Sequence, residues 1–278
     1  MKLIADCGST KIQWCAVENG NVVKEFFTPG LNAVMLTEEE ITARLAAELK
    51  PEVEGMEFES IYFYGEGCIN DDVCGNVRRA IAANASAPVI EVYTDLLAAA
   101  GALFGNEAGI ACILGTGSNS CYNDGEKIVD NVSPLGYILG DEGSGAVLGK
   151  LLVGDVLKKQ LPEHLCEKFL AQYDLDRMKI IQKVYREHPA NRFLASVTRF
   201  LIENIEEPAV HRLVLNAFKA FFVRNIANYD NYKEYSINFV GSIAYYYRDV
   251  LEEAAAAVDC KIGKILAAPM EGLIAYHS

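Results

Sequence analysis

Two glycine loops of the same design constrain this chain more than any other feature. The first reads Asp-Cys-Gly-Ser-Thr-Lys at residues 6–11, and the second reads Leu-Gly-Thr-Gly-Ser-Asn at residues 114–119. Each loop follows a short apolar run and leads into a second apolar stretch, which ends at a tight-turn dipeptide, Asn19-Gly20 or Asp124-Gly125. Such dipeptides between apolar stretches are typical of β-hairpins. The sequence therefore predicts two hairpins that each carry a glycine loop.

These loops suit the binding of a polyphosphate. Glycine lets backbone N–H groups approach a ligand closely, and serine and threonine hydroxyls add further donors. Two such hairpins could hold one triphosphate from both sides, which predicts a site for ATP. The alternative is a pair of ordinary hairpins with glycine turns, which a single cluster would favour but the repetition does not. A Walker loop is absent, because no GxxxxGK[ST] motif follows a predicted strand.

Composition describes a folded protein with an acidic surface. The 278 residues are 51% hydrophobic, which is enough to form the core of one large domain or two medium ones. The net charge of −13 comes without a basic cluster, which argues against nucleic acid as a partner. The eight cysteines include no CxxC pair, no apolar run is long enough to span a membrane, and the chain opens directly on a predicted strand. We therefore expect reduced thiols, no membrane partner and a cytoplasmic location.

The order of predicted elements repeats along the chain. Residues 1–106 read strand, strand, strand, helix, strand, helix, strand, helix, and a second three-stranded meander begins at Gly109. Helices follow it, with two late strands at Ser236–Val240 and Lys261–Leu266. The duplicated meander predicts an α/β protein with domains at 1–106 and 107–278 around a central cleft. We expect a helical insertion in the second domain and a last helix that returns to the first.

Local patterns set some helix boundaries and contacts. Thr37 precedes three glutamates, which predicts a helix start, and we expect that helix to stop before Pro51. Gly145 and Gly149 are four residues apart, so they lie on one helix face. This spacing predicts a helix that packs closely against a neighbour.

Five stretches of the chain resemble the motifs of a known group and occur in the same order. They are residues 6–11, 94–95, 115–119, 136–144 and 240–242. With them the chain resembles the sugar kinases of the actin, Hsp70 and hexokinase superfamily, and within it the N-acetylglucosamine kinases and the BadF/BadG/BcrA/BcrD ATPases. The resemblance implies two ribonuclease-H-like domains, the actin-like ATPase fold, around an ATP cleft. It also implies ATP and Mg²⁺ as cofactors and a small sugar as partner, and it is compatible with a homodimer.

The resemblance implies roles for the residues around the nucleotide. The first phosphate loop comprises Gly8, Ser9 and Thr10, with Lys11 beside it. The second phosphate loop comprises Gly115, Thr116, Gly117 and Ser118, and the turn on the adenosine side comprises Gly241 and Ser242. Asp6 is implied to hold Mg²⁺, usually through water.

The resemblance also implies a catalytic base and a set of sugar-binding positions. The base is Asp95, in the Thr-Asp segment that ends an apolar strand. The implied sugar-binding positions are Asn32, Thr94, Asp95, Thr116, Gly136, Tyr137 and Asp141. Phosphoryl transfer depends mainly on positioning and charge neutralisation, and Mg²⁺ needs few protein carboxylates. A carboxylate at a strand end is well placed to accept the proton of an attacking sugar hydroxyl.

Each of these residues taken alone has a purely structural alternative. Asp95 could serve only as a helix N-cap, and Asp141 could cap the helix that follows Gly143. Asn32 could be a turn residue, and Lys11 could be a solvated strand residue. These alternatives stay open at the level of the sequence.

Three functions compete for the whole chain. The first is an ATP-dependent kinase that phosphorylates N-acetylglucosamine at position 6, with glucosamine or N-acetylmuramic acid as alternative substrates. The second is an ATPase that activates a partner enzyme, like the activators of acyl-CoA dehydratases, which hold an iron–sulfur cluster between subunits with cysteines. The third is a non-catalytic nucleotide- or sugar-binding regulator, against which the intact Asp95 and the two loops argue.

Overall fold

The computed structural model describes residues 1–8, 10–187 and 189–278. It divides into two compact units. The first comprises Met1–Asn106 together with Pro269–Ser278, and the second comprises Glu107–Ala268. None of the helices in the described residues is long and apolar enough to cross a lipid bilayer.

The first unit is built on a five-stranded mixed sheet. Its strands are β1 (Lys2–Cys7), β2 (Lys11–Glu18), β3 (Asn21–Pro29), β4 (Ser60–Gly65) and β5 (Val89–Thr94). Their order in the sheet is β3-β2-β1-β4-β5. The strand β2 is antiparallel to β1 and β3, whereas β4 is parallel to both β1 and β5.

The second unit repeats this topology. Its strands are β6 (Gly109–Leu114), β7 (Ser118–Asn123), β8 (Ile128–Asp130), β9 (Ser236–Val240) and β10 (Lys261–Leu266). They follow the order β10-β9-β6-β7-β8, with β6-β7-β8 antiparallel and β9 parallel to both β6 and β10. The predicted duplicated meander is therefore confirmed.

The turn of the first hairpin, at Asn19-Gly20, has the backbone that the sequence predicts. Asn19 and Gly20 have φ angles of 51° and 76°, and Gly125 has a φ of 102°. Positive φ values at a two-residue turn match the twist of the flanking antiparallel strands, which is why Asn-Gly is favoured there. The second turn is longer, since residues 124–127 lie between β7 and β8. In both units the turn returns the chain beside the strand that follows the glycine loop.

Four α-helices alternate with the later strands of the first unit: two follow β3, one follows β4 and one follows β5. They are α1 (Glu38–Glu48), α2 (Lys50–Val53), α3 (Asp71–Ala82) and α4 (Asp95–Phe104). Thr37 caps α1 as predicted, and the side chain of Glu40 accepts the backbone N–H of Thr37 at 2.9 Å in return. The expected stop of this helix before Pro51 is confirmed, since α1 ends at Glu48; a separate short helix, α2, then carries Pro51 in its first turn. Proline is tolerated there because the first N–H groups of a helix have no intrahelical acceptor.

The helices of the second unit fill most of the chain between β8 and β10. They are α5 (Gly136–Leu139), α6 (Gly145–Leu157), α7 (Glu163–Gln172), α8 (Arg177–Tyr185), α9 (Ala190–Ser196), α10 (Arg199–Glu203), α11 (Pro208–Arg224), α12 (Ser242–Tyr246) and α13 (Arg248–Ala256). The predicted close approach of α6 is confirmed. A Cβ on Gly149 would lie 1.9 Å from the carbonyl oxygen of Leu194 in α9, and one on Gly145 would lie 3.2 Å from the Cβ of Ala195.

A last helix, α14 (Met270–Tyr276), belongs to the first unit. A Cβ on Gly272 would lie 2.6 Å from the Cα of Ala102, so α14 packs backbone to backbone on α4. Met270 and Leu273 are buried with Ile4 of β1 in a small apolar cluster. Along the sequence, the second unit is therefore inserted between two segments of the first.

Candidate active site

Three parallel strands of the first unit end side by side next to two acidic residues. Cys7 at the end of β1 pairs with Gly65 at the end of β4, and Gly65 pairs with Thr94 at the end of β5. Asp6 precedes Cys7, and Asp95 directly follows Thr94. Both carboxylates therefore belong to the same edge of the sheet, with β4 between their strands.

Asp95 is the first residue of α4, but it does not cap the helix. Thr94 is the N-cap, and its Oγ1 accepts the N–H of Leu96 at 3.4 Å. The same hydroxyl donates to Oδ1 of Asp95 at 3.0 Å. The alternative that Asp95 is only an N-cap is therefore wrong. Burial raises the pKa of Asp95, and the hydrogen bonds from Thr94 and from backbone N–H groups oppose that rise.

Asp6 is an acid whose charge is costly in this environment. The pKa of Asp6 is raised to about 7, mainly by burial and also by the nearby charge of Asp95, while the ammonium of Lys11 opposes this rise. A divalent cation stabilises a carboxylate in such a position, and Mg²⁺ is commonly held by only one or two carboxylates with waters and phosphates. Among the described residues no group of three or more acidic, histidine or cysteine side chains is placed to hold a metal ion. Asp6 therefore fits Mg²⁺ as a single carboxylate partner.

The first glycine loop joins β1 to β2 in a tight turn. The N–H of Gly8 donates to the carbonyl of Lys11 at 3.1 Å, and the carbonyl of Thr10 accepts the N–H of Gly30 at 3.0 Å. Gly8 and Thr10 are exposed, and Ser9 lies outside the described residues. Lys11 is an exposed strand residue whose Nζ lies 4.4 Å from the centre of the Phe27 ring.

Asn32 lies in a turn beside the end of β4. It caps a short 3₁₀ turn, where its Oδ1 accepts the N–H of Val34 at 3.2 Å. The N–H of Ala33 donates to the carbonyl of Glu66 at 3.4 Å, and a Cβ on Gly67 would lie 2.5 Å from Oδ1 of Asn32. Asn32 is therefore a turn residue, which is the structural role that the sequence left open for it. The cap uses only its Oδ1 and not its amide NH₂.

The second glycine loop packs on the start of α6. The N–H of Gly115 donates to the carbonyl of Gly117 at 3.0 Å, which closes the turn between β6 and β7. The carbonyls of Gly115 and Thr116 accept the N–H groups of Gly145 and Ala146 at 2.8 and 3.0 Å. The first N–H groups of α6 thus already have acceptors in the loop. A ligand would therefore bind to the loop and not to this end of the helix.

Gly241 brings the end of β9 against the second loop. Its φ is 126°, and a Cβ there would lie 2.3 Å from the carbonyl oxygen of Leu114. Only glycine fits this contact, because any side chain would collide with the backbone. Ser242, the first residue of α12, is exposed beside it. The second unit therefore brings together two of the predicted nucleotide-binding segments.

The predicted sugar loop of the second unit contains Gly136, Tyr137 and Asp141. Gly136 begins α5 with a φ of 72°, and the half-buried Tyr137 packs against the core of this unit. The carbonyl of Tyr137 accepts a hydrogen bond from Nζ of Lys150 at 2.6 Å. The alternative that Asp141 caps the next helix is wrong, because Ser144 is the N-cap of α6.

The carboxylate of Asp141 lies against Gly117 of the second loop. A Cβ on Gly117 would lie 3.3 Å from Oδ2 of Asp141. The pKa of Asp141 is raised to about 6, mainly by burial and also by the charge of Glu142. A hydrogen bond from the N–H of Ser118 and the charge of Lys150 oppose this rise. The structure thus joins the predicted sugar loop to the predicted phosphate loop within one unit.

Sequence reasoning missed the contact that ties this loop to α11. The carboxylate of Glu142 is hydrogen-bonded to Nε of Arg224 and accepts from Nδ2 of Asn225 at 3.3 Å. The Glu142 side chain is only 15% exposed. Glu142 and Arg224 are 82 residues apart, and no local pattern points from one to the other.

The solved structure of a protein from Porphyromonas gingivalis, described as a candidate N-acetylglucosamine kinase, matches this chain along its whole length. The two sequences are 46% identical, the match covers 100% of this chain and 98% of the other, and the TM-score is 0.97. The chain belongs to the N-acetylglucosamine kinase family. At this identity and coverage the two proteins share one domain organisation as well as one fold.

More distant structures share the fold of this kinase family. A candidate N-acetylglucosamine kinase from Chromobacterium violaceum is 17% identical, with 100% of this chain and 98% of that chain covered and a TM-score of 0.75. A ROK family glucokinase from Streptomyces griseus, solved with glucose and AMPPNP, is 15% identical, with 99% and 97% covered and a TM-score of 0.62. The fold is therefore the actin-like ATPase fold of sugar kinases. No protein-family model and no curated protein matches the chain.

Proposed function

We propose that this chain phosphorylates N-acetylglucosamine at its 6-hydroxyl with ATP. The observation that carries the proposal is the full-length similarity, at 46% identity, to a candidate N-acetylglucosamine kinase. The position of Asp95 supports it, since this residue follows the end of a parallel strand and has a raised pKa. Ligand sites in α/β folds commonly lie at the carboxyl ends of parallel strands.

Asp95 is the proposed general base. As the sugar oxygen attacks the γ-phosphorus of ATP, its proton passes to the Asp95 carboxylate, and the bond from phosphorus to ADP breaks. A raised pKa makes this carboxylate a stronger proton acceptor than an aspartate in water. The hydroxyl of Thr94 donates to Oδ1 of Asp95 and so orients the carboxylate that would accept the proton.

Asp6 is the proposed holder of Mg²⁺, either directly or through water. When bound with ATP, Mg²⁺ neutralises charge on the phosphates. The charge of Asp95 and burial both disfavour the ionised form of Asp6, and a cation beside it would reverse this effect. Lys11 contributes a further positive charge to the same edge of the first sheet.

The two glycine loops are the proposed phosphate-binding elements. Gly8, Ser9 and Thr10 would offer donors from the first unit, and the segment 115–118 would offer them from the second. Gly241 and Ser242 follow β9, where Gly241 contacts the main chain at the start of the second loop. We assign this turn to the adenosine side of the nucleotide.

Each unit is proposed to contribute one set of residues that bind the sugar. In the first unit, Thr94 and the amide NH₂ of Asn32 would bind it beside Asp95. In the second unit the proposed contacts are Thr116, Gly136, Tyr137 and Asp141. Carboxylates and amides are the groups that proteins use to bind sugar hydroxyls because they accept and donate directed hydrogen bonds.

The burial of two cysteines disfavours the activator function. An iron–sulfur cluster shared between subunits needs cysteines at a surface. Cys112 in β6 and Cys121 in β7 are both 0% exposed. We therefore place the kinase ahead of the activator.

A substrate screen tests the proposed function. ADP release is measured with N-acetylglucosamine, glucosamine, N-acetylmuramic acid and glucose, and without sugar. We expect N-acetylglucosamine to give the highest kcat/KM and the product to show phosphorus coupling to the C6 protons by NMR. ADP release that no sugar raises above the sugar-free rate would contradict the proposal. The same screen with Asp95→Asn shows whether the activity belongs to this protein.

A further inference from the structure

The carboxylate of Asp141 lies on the backbone of the second glycine loop. A Cβ added to Gly117 would lie 3.3 Å from Oδ2 of Asp141, 3.7 Å from Cγ and 3.8 Å from Oδ1. The backbone N–H of Ser118 donates a hydrogen bond to the same carboxylate. An anionic group of the protein therefore already lies against the loop that we assign to a phosphate of ATP.

The loop around Asp141 has an unfavourable backbone conformation that its contacts maintain. Asp141 has a φ of 54° and Leu135 a φ of 61°, a region that residues with a side chain rarely adopt. The N–H of Asp141 donates to the carbonyl of Pro134 at 2.8 Å, and its carbonyl accepts the N–H of Ser144 at 3.0 Å. The carboxylate contact with Gly117 adds to these bonds. Such a loop can adopt a second arrangement when one of its contacts is replaced by a ligand.

We propose that Asp141 is an internal occupant of a phosphate position on the second glycine loop, and that sugar binding withdraws it. The sugar half of this statement rests on the proposed function, in which Asp141 binds the sugar. A carboxylate and a phosphate seek the same N–H donors, and their like charges repel each other. The enzyme without sugar therefore binds ATP weakly, and the sugar strengthens ATP binding by removing the competitor.

This arrangement couples the two substrates and limits wasted ATP. Coupling is reciprocal, so a sugar that strengthens ATP binding is itself bound more tightly when ATP is present. Without sugar, the carboxylate on the loop keeps the γ-phosphate from its full set of donors, which lowers the rate of hydrolysis by water. The loop thus acts on both the affinity for ATP and the choice between sugar and water as phosphoryl acceptor.

A structural role for Asp141 predicts the opposite result. If the carboxylate serves only to hold the segment 115–118 in a shape that binds phosphate, its removal weakens nucleotide binding. If it competes with phosphate, its removal strengthens nucleotide binding. The sign of the change separates the two.

The experiment is calorimetric titration of AMPPNP with Mg²⁺ into the wild type, Asp141→Ala and Asp141→Asn, each with and without N-acetylglucosamine. We expect Asp141→Ala to bind AMPPNP about tenfold more tightly than the wild type without sugar, which corresponds to about 1.4 kcal/mol. Asp141→Asn keeps the shape and loses the charge, so we expect a smaller gain of the same sign. N-acetylglucosamine should strengthen AMPPNP binding by the wild type and leave the affinity of both variants unchanged.

Asp124→Asn is the matched control. Asp124 also accepts backbone N–H groups in a loop of the second unit, from Glu126 and Lys127 at 2.9 Å. It lies at the other end of β7, about 20 Å from Ser118 by strand length. The control loses the same charge and should bind AMPPNP like the wild type.

Two outcomes overturn the proposal. If both Asp141 variants bind AMPPNP equally or more weakly without sugar, Asp141 is not a competitor of phosphate. If they bind it more tightly but N-acetylglucosamine still strengthens binding as in the wild type, the sugar does not act through Asp141. The titrations without sugar do not depend on which sugar is the substrate. They can therefore contradict the role of Asp141 while a sugar still stimulates ADP release. Conversely, they can support that role even if no sugar stimulates ADP release.

Discussion

The hydroxyl of Thr94 donates a 3.0 Å hydrogen bond to Oδ1 of Asp95 while its oxygen accepts the N–H of Leu96. One side chain therefore caps α4 and orients the carboxylate that follows it. Thr94 therefore holds the N-cap position, which is the role that the sequence alone leaves open for Asp95. The cap of α4 thus does not depend on the Asp95 carboxylate alone.

Asp95→Asn should reduce kcat about a hundredfold to ten-thousandfold, because the amide cannot accept the proton of the sugar hydroxyl. Affinity for Mg·ATP, measured by calorimetry, should change little. Asp71→Asn is the control, since Asp71 is also the first residue of a helix in the first unit and is exposed. Turnover of Asp95→Asn within threefold of the wild type would remove this residue from the mechanism.

Thr10→Val and Thr116→Val should each weaken Mg·ATP binding by about tenfold, because each removes a hydroxyl that we assign to a charged phosphate. Valine has nearly the volume of threonine, so the loops should keep their shape. Thr42→Val in α1 is the control, since its hydroxyl only donates to the carbonyl of Glu38. Calorimetry that gives unchanged ATP affinity in both loop variants would refute the assignment of the two loops to phosphate.

Gly241→Ala should lower the free energy of unfolding by about 2 kcal/mol or more. The φ of 126° is unfavourable for alanine, and the new Cβ would lie 2.3 Å from the carbonyl oxygen of Leu114. Gly154→Ala is the control in the same unit, because Gly154 lies within α6 with no neighbouring atom within 4 Å of a Cβ. That change should stabilise the protein by about 0.5–1 kcal/mol. Equal unfolding midpoints in urea for the two variants would show that the contact at Gly241 is not needed.

The attachment of α14 should weaken as the pH falls. Burial, with a smaller contribution from the charge of Lys2, lowers the pKa of His277 to about 4. His277 lies 2.8 Å from the hydroxyl of Tyr64 and stacks on Tyr62. Because the unfolded state takes up the proton first, near pH 6.5, stability present above that pH is lost progressively down to about pH 4. Solvent screening of this half-buried ring limits the loss to about 2 kcal/mol.

Hydrogen exchange of the peptide that contains Met270–Tyr276 measures this effect. After correction for intrinsic exchange, its protection should fall between pH 6.5 and pH 4 in the wild type. His277→Gln does not titrate and can still bond to Tyr64, so its protection should vary less over the same range. The same pH dependence in both proteins would assign the loss to other groups.

Much of the fold follows from local sequence because each element carries its own boundaries. The strands β9 and β10 appear at the predicted residues. The Asn19-Gly20 turn fixes the pairing of β2 with β3, since its backbone twist matches that of the strands. The repetition of the meander then predicts the second sheet from the first.

The contacts of the candidate site were less accessible to sequence reasoning, because they join distant residues. Nothing near Asp141 indicates that its carboxylate lies on Gly117, and nothing near Glu142 indicates Arg224. The left-handed backbone conformation of Leu135 also cannot be predicted from the sequence, because leucine rarely adopts it and does not indicate a turn. Pairings of this kind depend on the tertiary structure rather than on local preference.

The return of α14 to the first unit has a consequence for biosynthesis. Leu273 and Met270 complete an apolar cluster with Ile4, which is synthesised before the whole of the second unit. A ribosome synthesises the whole second unit before it reaches these two residues. Until then, the apolar surface around Ile4 in the first unit stays uncovered. The second unit is continuous in sequence and can fold as soon as it emerges. We therefore expect the two units to mature in the reverse of their order along the chain.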